Sequence, residues 1–268
     1  MVMSEPVESS DINSDGFINQ PGTVAYSSAN ILVAEKISLQ ENSSSLVEPH
    51  ADISIDIAFD LLVAKGIKKA VEYLTACNIL TPSPRDIASF LRLHQKRIDP
   101  SALGDYLGEE NICGGNQWNL IRYHYVRVIS FVGLKVDEAL RQFVTNCGFH
   151  LPGEAQRIDR IISTFSQCFW EDNVGDHAHC PFYHQDTVCL LAFAIIMLNT
   201  DLHKASSELS SKSYGRKVRR MSRDEFMNNL KRAVPSEELP KEYVFSIYDS
   251  IEAVPMILSV SQSVSGLL

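Results

Sequence analysis

The sequence has no Cys-x-x-Cys pair, no Gly-rich phosphate loop, no nucleophile elbow and no apolar run of membrane-spanning length. Each absence closes a class. The six cysteines stand singly (Cys77, Cys113, Cys147, Cys168, Cys180 and Cys189), which argues against a disulfide framework and fits reduced thiols of an intracellular protein. Without a Walker loop the chain is not expected to hold a nucleotide itself, and without a Gly-x-Ser-x-Gly turn hydrolysis has no support. The longest apolar run, Val188 to Leu198, is about half the ~20 residues a spanning helix needs. The opening residues Met1 to Pro6 are polar and acidic, unlike a secretory leader, and Val2 excludes N-myristoylation. A cytoplasmic protein, peripheral to membranes at most, is the expectation.

Positive charge is scarce at the front of the chain. Residues 1–63 carry ten acidic groups against one basic, the whole of the net −9, while the remainder balances 23 against 23. A neutral body behind an acidic tail argues against nucleic-acid binding, which needs a basic surface. Residues 1–58 are serine-rich with little periodicity and read as a disordered tail. Within it, Asp11 to Ile18 matches the first eight positions of a calcium-binding EF-hand loop, Gly16 included. Gly22, however, stands where the bidentate Glu belongs, so calcium is not expected there.

Helical signals dominate the rest. Ile53, Ile55, Ile57 and Phe59 alternate as a strand would, but nothing offers to pair with them, so a lead-in segment or helix is expected. Ile67, Val71 and Leu74 share a helical face. Ser83-Pro84 and Asp99-Pro100 each place an N-cap residue before a first-turn proline. The first precedes Ile87, Phe90 and Leu91; the second precedes Leu103, Tyr106 and Leu107, with Gly108 as the stop. A longer helix is expected from Asn116 to Phe131 with Leu120, Ile121, Val128 and Phe131 inward. Another opens at Asp137, carries Leu140, Phe143 and Val144, and ends at Gly148. Ser222-Arg223-Asp224-Glu225 is a capping box. Glu238 to Ile251 forms the last helix, and residues 255–268 read as a loose tail. With no convincing strand, the fold class is all-α, with about ten helices in residues 59–254.

One turn stands apart. Pro152-Gly153 is followed at once by Glu154 and then by Ile158, Ile161, Ile162, Phe165 and Phe169 at helical spacing, lifting a carboxylate onto the mouth of a helix. An isolated Pro-Gly-Glu is explained by helix-dipole complementarity alone.

Gly153 to Arg160 (GEAQRIDR) and Leu191 to His203 (LAFAIIMLNTDLH) resemble the two signature blocks of the Sec-seven domain, an all-helical guanine-nucleotide exchange factor for Arf small GTPases. Phe59-Asp60 with Lys65-Gly66-Ile67, Ile87-Ala88 with Phe90-Leu91, Gly104 to Gly108, and Arg220 to Asn229 (RMSRDEFMNN) resemble further blocks in order, so the resemblance covers about residues 59–254. It implies a superhelix of stacked helical hairpins and an Arf-family partner. It implies Glu154 as the catalytic glutamate, displacing magnesium and β-phosphate that the partner holds, with no cofactor of the chain's own. A GTPase-binding groove is implied at Leu151, Pro152, Gly153, Ala155, Gln156, Phe193, Ala194, Met197, Asn199, Thr200, Asp201 and Met221, with Leu190, Leu191 and Leu198 packing inward. Positions matching those that govern brefeldin A sensitivity read Phe193, Ala194, Asp201 and Met221, two of each type, and resistance is the expectation. Lys204, where the family commonly has Asn, and a lengthened loop from Asp172 to Gln185 depart from the pattern.

Two clusters remain. His177, His179, Cys180 and His184 have zinc-compatible chemistry, but no second cluster supports a site, and solvated loop histidines are expected. Arg216, Lys217, Arg219, Arg220 and Arg223 put five basic residues in eight; they read either as a solvated run or as contacts to an anionic membrane. A helical scaffold that binds a small GTPase or coat component without exchange is the rival function.

Overall fold

The computed structural model describes residues 49–111, 115–204, 219–234 and 239–258, with the side chains of 49–52 and Lys204 left aside. The chain divides into two units at Glu48, and every described residue belongs to the second, which starts at Pro49. Ten α-helices occur among the described residues, and no β-sheet. They are α1 (Pro49–Lys65), α2 (Ile67–Ala76), α3 (Pro84–Leu93), α4 (Pro100–Leu107), α5 (Gln117–Val126), α6 (Val136–Asn146), α7 (Ala155–Asn173), α8 (Gln185–Asn199), α9 (Arg223–Ala233) and α10 (Lys241–Ala253).

The ambiguous lead-in is helical, and α1 begins before residue 59. Its apolar residues sort at helical spacing: Ala58, Phe59 and Leu62 are buried, while Ile53 and Ile57 face out. Gly66, at φ +88°, breaks α1 from α2. At α4 the Asp99 carboxylate accepts from the Ala102 amide at 2.8 Å, as an N-cap should. At α9 the capping box is closed in both directions, Glu225 N to Ser222 Oγ at 3.3 Å and Ser222 N to Glu225 Oε2 at 3.0 Å.

The helix expected to run to Phe131 stops at Val126, and its inward face differs from the expectation. Ile121 and Phe131 are buried, but Leu120 and Val128 are exposed. The cause lies on α7. Asp172 Oδ2 accepts from Phe131 N at 2.8 Å, and Asn173 takes Gly133 N at 2.9 Å while donating to Phe131 O at 3.0 Å. These bonds outbid continuation of the helix and turn the chain so that Phe131 plugs the core.

Helices pair as sequential neighbours (α1 with α2, α7 with α8, α9 with α10) and across the chain (α3 with α5, α5 with α7, α8 with α6 and α10). An aromatic spine runs through the centre: Phe165 lies 5.2 Å from both Phe131 and Phe143, and Phe143 lies 6.1 Å from Phe149. The apolar stretch Gln185–His203 is long and apolar enough to cross a membrane by length and composition. Val188, Leu191, Ala192, Ile195 and Leu198 are nonetheless buried within the domain, the stripe of a core helix.

The residues after α10 are not loose where they are described. Met256 is buried, and Arg141 donates to the carbonyls of Ser250 and Pro255 at 3.0 and 3.2 Å and to that of Val254 between them. Satisfying those carbonyls lets the strap lie against the domain.

Candidate functional site

Glu154 occupies the N-cap position of α7 with extended backbone, φ −88° and ψ 126°. Its side chain does not cap its own helix and is 57% exposed. Glutamate is a poor N-cap because its longer chain overshoots the first-turn amides, so the carboxylate stays outside.

The turn that carries it is built on α4. His150 N donates to Pro100 O at 3.0 Å, and Ser101 Oγ lies 3.2 Å from His150 Nδ1. The approach is so close that a Cβ on Gly104 would overlap the His150 carbonyl, and one on Gly108 would come within 2.6 Å of Arg157 Cβ. Leu151 and Pro152 are buried beneath the turn, so they support it and are not open to a partner as expected. Gly153 is half-buried; Glu154, Ala155 and Gln156 are exposed.

Three arginines satisfy the carbonyl end of α4. Buried Arg122 donates to Leu107 O at 2.6 Å, Glu109 O at 3.2 Å and Thr164 Oγ1 at 3.1 Å. Arg157 donates to Asp105 O at 3.1 Å, and Arg160 to Gly108 O at 3.0 Å. Cations suit a helix C-terminus, where orphan carbonyls concentrate negative potential. Burial pulls the Arg122 guanidinium down to about 10, so it stays charged at neutral pH. Sequence reading missed this support, because no local signal marks a guanidinium that bonds carbonyls 13 and 15 residues away.

The second element is the open face of α8. Leu190 and Met197 are exposed, at 40% and 66%, with Phe193 and Ala194 half-buried between them. Spacing of three and four residues puts them in one stripe. Leu190, expected inward with Leu191 and Leu198, belongs to this face; periodicity cannot choose among sides of a helix that is apolar all round. Asn199, expected in the groove, is buried with its carboxamide bonded to the Met256 backbone.

Beyond Asn199 the helix widens into a π-helical turn, Thr200–Lys204. Thr200 Oγ1 donates to Ile196 O at 3.0 Å, and Asp201 Oδ2 accepts from Met221 N at 2.7 Å. Tyr248 Oη donates to Met221 O at 2.7 Å. Thr200, Asp201 and Met221 are thus half-buried at the end of the stripe, with Asp201 and Met221 bonded to each other.

His177 and His184 are exposed, as expected of solvated loop histidines, while the loop that carries them is anchored. Cys180 and Phe182 are buried, Tyr243 Oη donates to His179 O at 2.7 Å, and His179 Nδ1 lies 2.8 Å from Asp176 Oδ2. No group of three or more metal-binding side chains converges among the described residues. In the basic run, Arg216 and Lys217 lie outside the described residues. Arg219 pairs with Glu225, and Arg223 with Asp249; Arg220 is exposed. The Asp11 to Ile18 stretch also lies outside the described residues.

A family model described as the Sec7 domain matches residues 56–256. The chain is 33% identical over 186 residues to the ankyrin repeat, PH and SEC7 domain containing protein secG of Dictyostelium discoideum, covering 69% of this chain and 17% of that protein. It is 34% identical over 201 residues to brefeldin A-inhibited guanine nucleotide-exchange protein 3 of Arabidopsis thaliana, covering 72% of this chain and 10% of that protein. The match thus spans under a fifth of the length of either relative. A chain from the structure of ARF1-GDP bound to Sec7 domain complexed with brefeldin A superposes with a TM-score of 0.58 at 28% identity, covering 78% of this chain and 95% of that one.

Proposed function

The chain belongs to the Sec7 domain family, and from that membership we propose that it is a guanine-nucleotide exchange factor acting on Arf-family small GTPases. The observation that carries the reading is Glu154, an exposed carboxylate at a helix mouth that makes no capping bond to its own helix. A small GTPase holds GDP through a magnesium ion and a lysine on the β-phosphate. A carboxylate brought into that site repels the phosphate, draws the magnesium ion and competes for the lysine, so nucleotide leaves without any covalent bond being made or cut. Magnesium and GDP are here the substrate's own, and no resident cofactor is needed.

The apolar stripe Leu190, Phe193, Ala194 and Met197 is the complementary half. It offers the switch segments of the GTPase an apolar seat, favouring the nucleotide-free conformation by binding it more tightly than the GDP-bound one. The place of action is the cytoplasmic face of a membrane.

The test is release of a fluorescent GDP analogue from ARF1 and other Arf GTPases, with and without the chain. Acceleration that disappears in Glu154→Lys is the expected result. Binding without acceleration replaces this reading with the idle scaffold.

A further inference from the structure

Resting on the exchange reading of Glu154, we infer that Arg157 is a positioning residue for that carboxylate, holding it aimed outward between strokes of the exchange cycle. Arg157 Nε lies 3.0 Å from Glu154 Oε2, one helical turn along α7. A pair three residues apart on an open helix is ordinarily weak, because both long side chains keep their rotamer freedom. This one differs in how the arginine is held.

Arg157 is only 27% exposed. Its Nη1 donates to Asp105 O at 3.1 Å and lies 3.5 Å from Asp105 Oδ1, while Nη2 lies 3.4 Å from Glu109 Oε2. Its stem packs where Gly108 has no side chain. The guanidinium is therefore held through Nη1 and Nη2 by α4 and by Glu109 just beyond it before Glu154 is considered, which leaves Nε for Glu154. The entropy of ordering the arginine is met by α4, so Glu154 alone must be ordered to complete the pair.

The charge count gives the arrangement a second consequence. One guanidinium gathers three carboxylates, Asp105, Glu109 and Glu154. It does not cancel the negative field that the incoming magnesium ion and lysine meet; it lets that field be concentrated. Without Arg157, Asp105 and Glu109 repel Glu154 and the carboxylate swings through many rotamers. Most of those miss the phosphate, and misplacement by an ångström is expensive for a group acting at close range.

The experiment measures GDP release from ARF1 at increasing concentrations of the full chain, for wild type, Arg157→Gln and Arg157→Lys, together with melting temperature. The expected result is a roughly fivefold lower maximal rate for Arg157→Gln, an unchanged half-saturating concentration, and partial recovery in Arg157→Lys, whose point charge restores attraction without the fork. A role in stability alone predicts instead a lower melting temperature with the maximal rate of folded protein preserved, and that outcome overturns the inference. So does a Gln variant as fast as wild type, or a Lys variant no better than Gln. If Arg157→Gln does not fold, the Lys variant decides: a maximal rate equal to wild type overturns the inference, and a lower one at unchanged half-saturation supports it. A wild-type chain inactive on every Arf tested overturns the exchange reading itself, which separates the two failures.

Discussion

The Asn199 carboxamide grips the Met256 backbone from both sides, accepting from Met256 N at 2.6 Å and donating to Met256 O at 3.0 Å. A side chain here does what a neighbouring strand would do, satisfying one residue's two backbone groups inside the core. Asn199 thus closes the segment after α10 over the end of α8, and its role differs from that of Met197 two residues earlier. In Asn199→Ala both Met256 groups are left buried and unpaired, at a cost of roughly 1–3 kcal/mol. The expected outcome is a lower melting temperature and faster amide exchange over residues 254–258. Circular dichroism and hydrogen-exchange mass spectrometry check it.

Met197→Ala should behave in the opposite way. The side chain is 66% exposed, so its removal opens no cavity and stability should change by less than about 0.5 kcal/mol. Affinity for nucleotide-free Arf should fall by on the order of 1–3 kcal/mol, as for a central interface contact. Titration calorimetry beside a melting curve separates the two readouts. An early-melting variant with undiminished binding would return Met197 to a structural role.

Where the sequence was legible, the determinants were local. Asp99 before Pro100 and Ser222 before Glu225 announce helix starts because donor and acceptor sit within three residues. The place of Glu154 at a helix mouth was legible because a Pro-Gly turn leads directly into a periodic helix, and its wider context because ordered blocks matched a family. Leu120, Val128 and Leu190 were misassigned because hydrophobic spacing marks a helix without saying where its neighbours stand. The turn at Phe131 is written in Asp172 and Asn173, some 40 residues further on. Arg157 is likewise explained only by Asp105 and Glu109, about 50 residues before it. Those relationships exist only after folding.

Arg122 offers a test of how the shelf under Glu154 is held. It is buried and bonds the carbonyls of residues 107 and 109, the Thr164 hydroxyl and Asn119 Oδ1. Arg122→Met keeps the volume but strands these acceptors, and destabilisation of about 3 kcal/mol is expected from their lost partners. Urea unfolding at pH 7 measures it. Because α4 supports both the turn and the Arg157 guanidinium, the maximal exchange rate of the folded fraction should fall as well.

Glu154→Lys should abolish exchange and leave the fold standing. The position is exposed and does not cap α7, so no buried bond is lost. A lysine there loses the Arg157 pair and meets a like charge, a small surface effect worth about 0.5 kcal/mol or less. The field presented to the phosphate changes sign, so GDP-loaded Arf should be bound without being emptied. Equal melting curves with a flat nucleotide-release trace are the expected pair of results. Release at the wild-type rate would remove Glu154 from the mechanism.

Asp137 gives the domain a pH signature unrelated to exchange. It is 2% exposed in the first turn of α6, and its Oδ1 has no hydrogen-bond partner among the described residues. Burial, above all, holds its carboxyl above the usual 3.8, reinforced by Glu138; a bond from Ser250 and the charge of Arg141 act the other way without prevailing. A carboxyl with a raised folded pKa keeps its proton longer in the native state than in the unfolded chain. Its contribution is therefore most favourable below 3.8 and is lost as pH climbs from 3.8 through the raised value. At neutral pH the burial of this carboxyl weighs against the fold. Asp137→Asn removes the charge at nearly constant volume, so the variant should match or exceed the wild-type melting temperature at pH 7. The gap should narrow as pH falls through the raised value toward 3.8, as the wild-type carboxyl takes up its proton. Melting curves between pH 4 and pH 8 check both the sign and the window. A variant less stable than wild type at pH 7 would mean that the carboxylate, through Ser250 and its own backbone amide, supports the fold more than its burial opposes it.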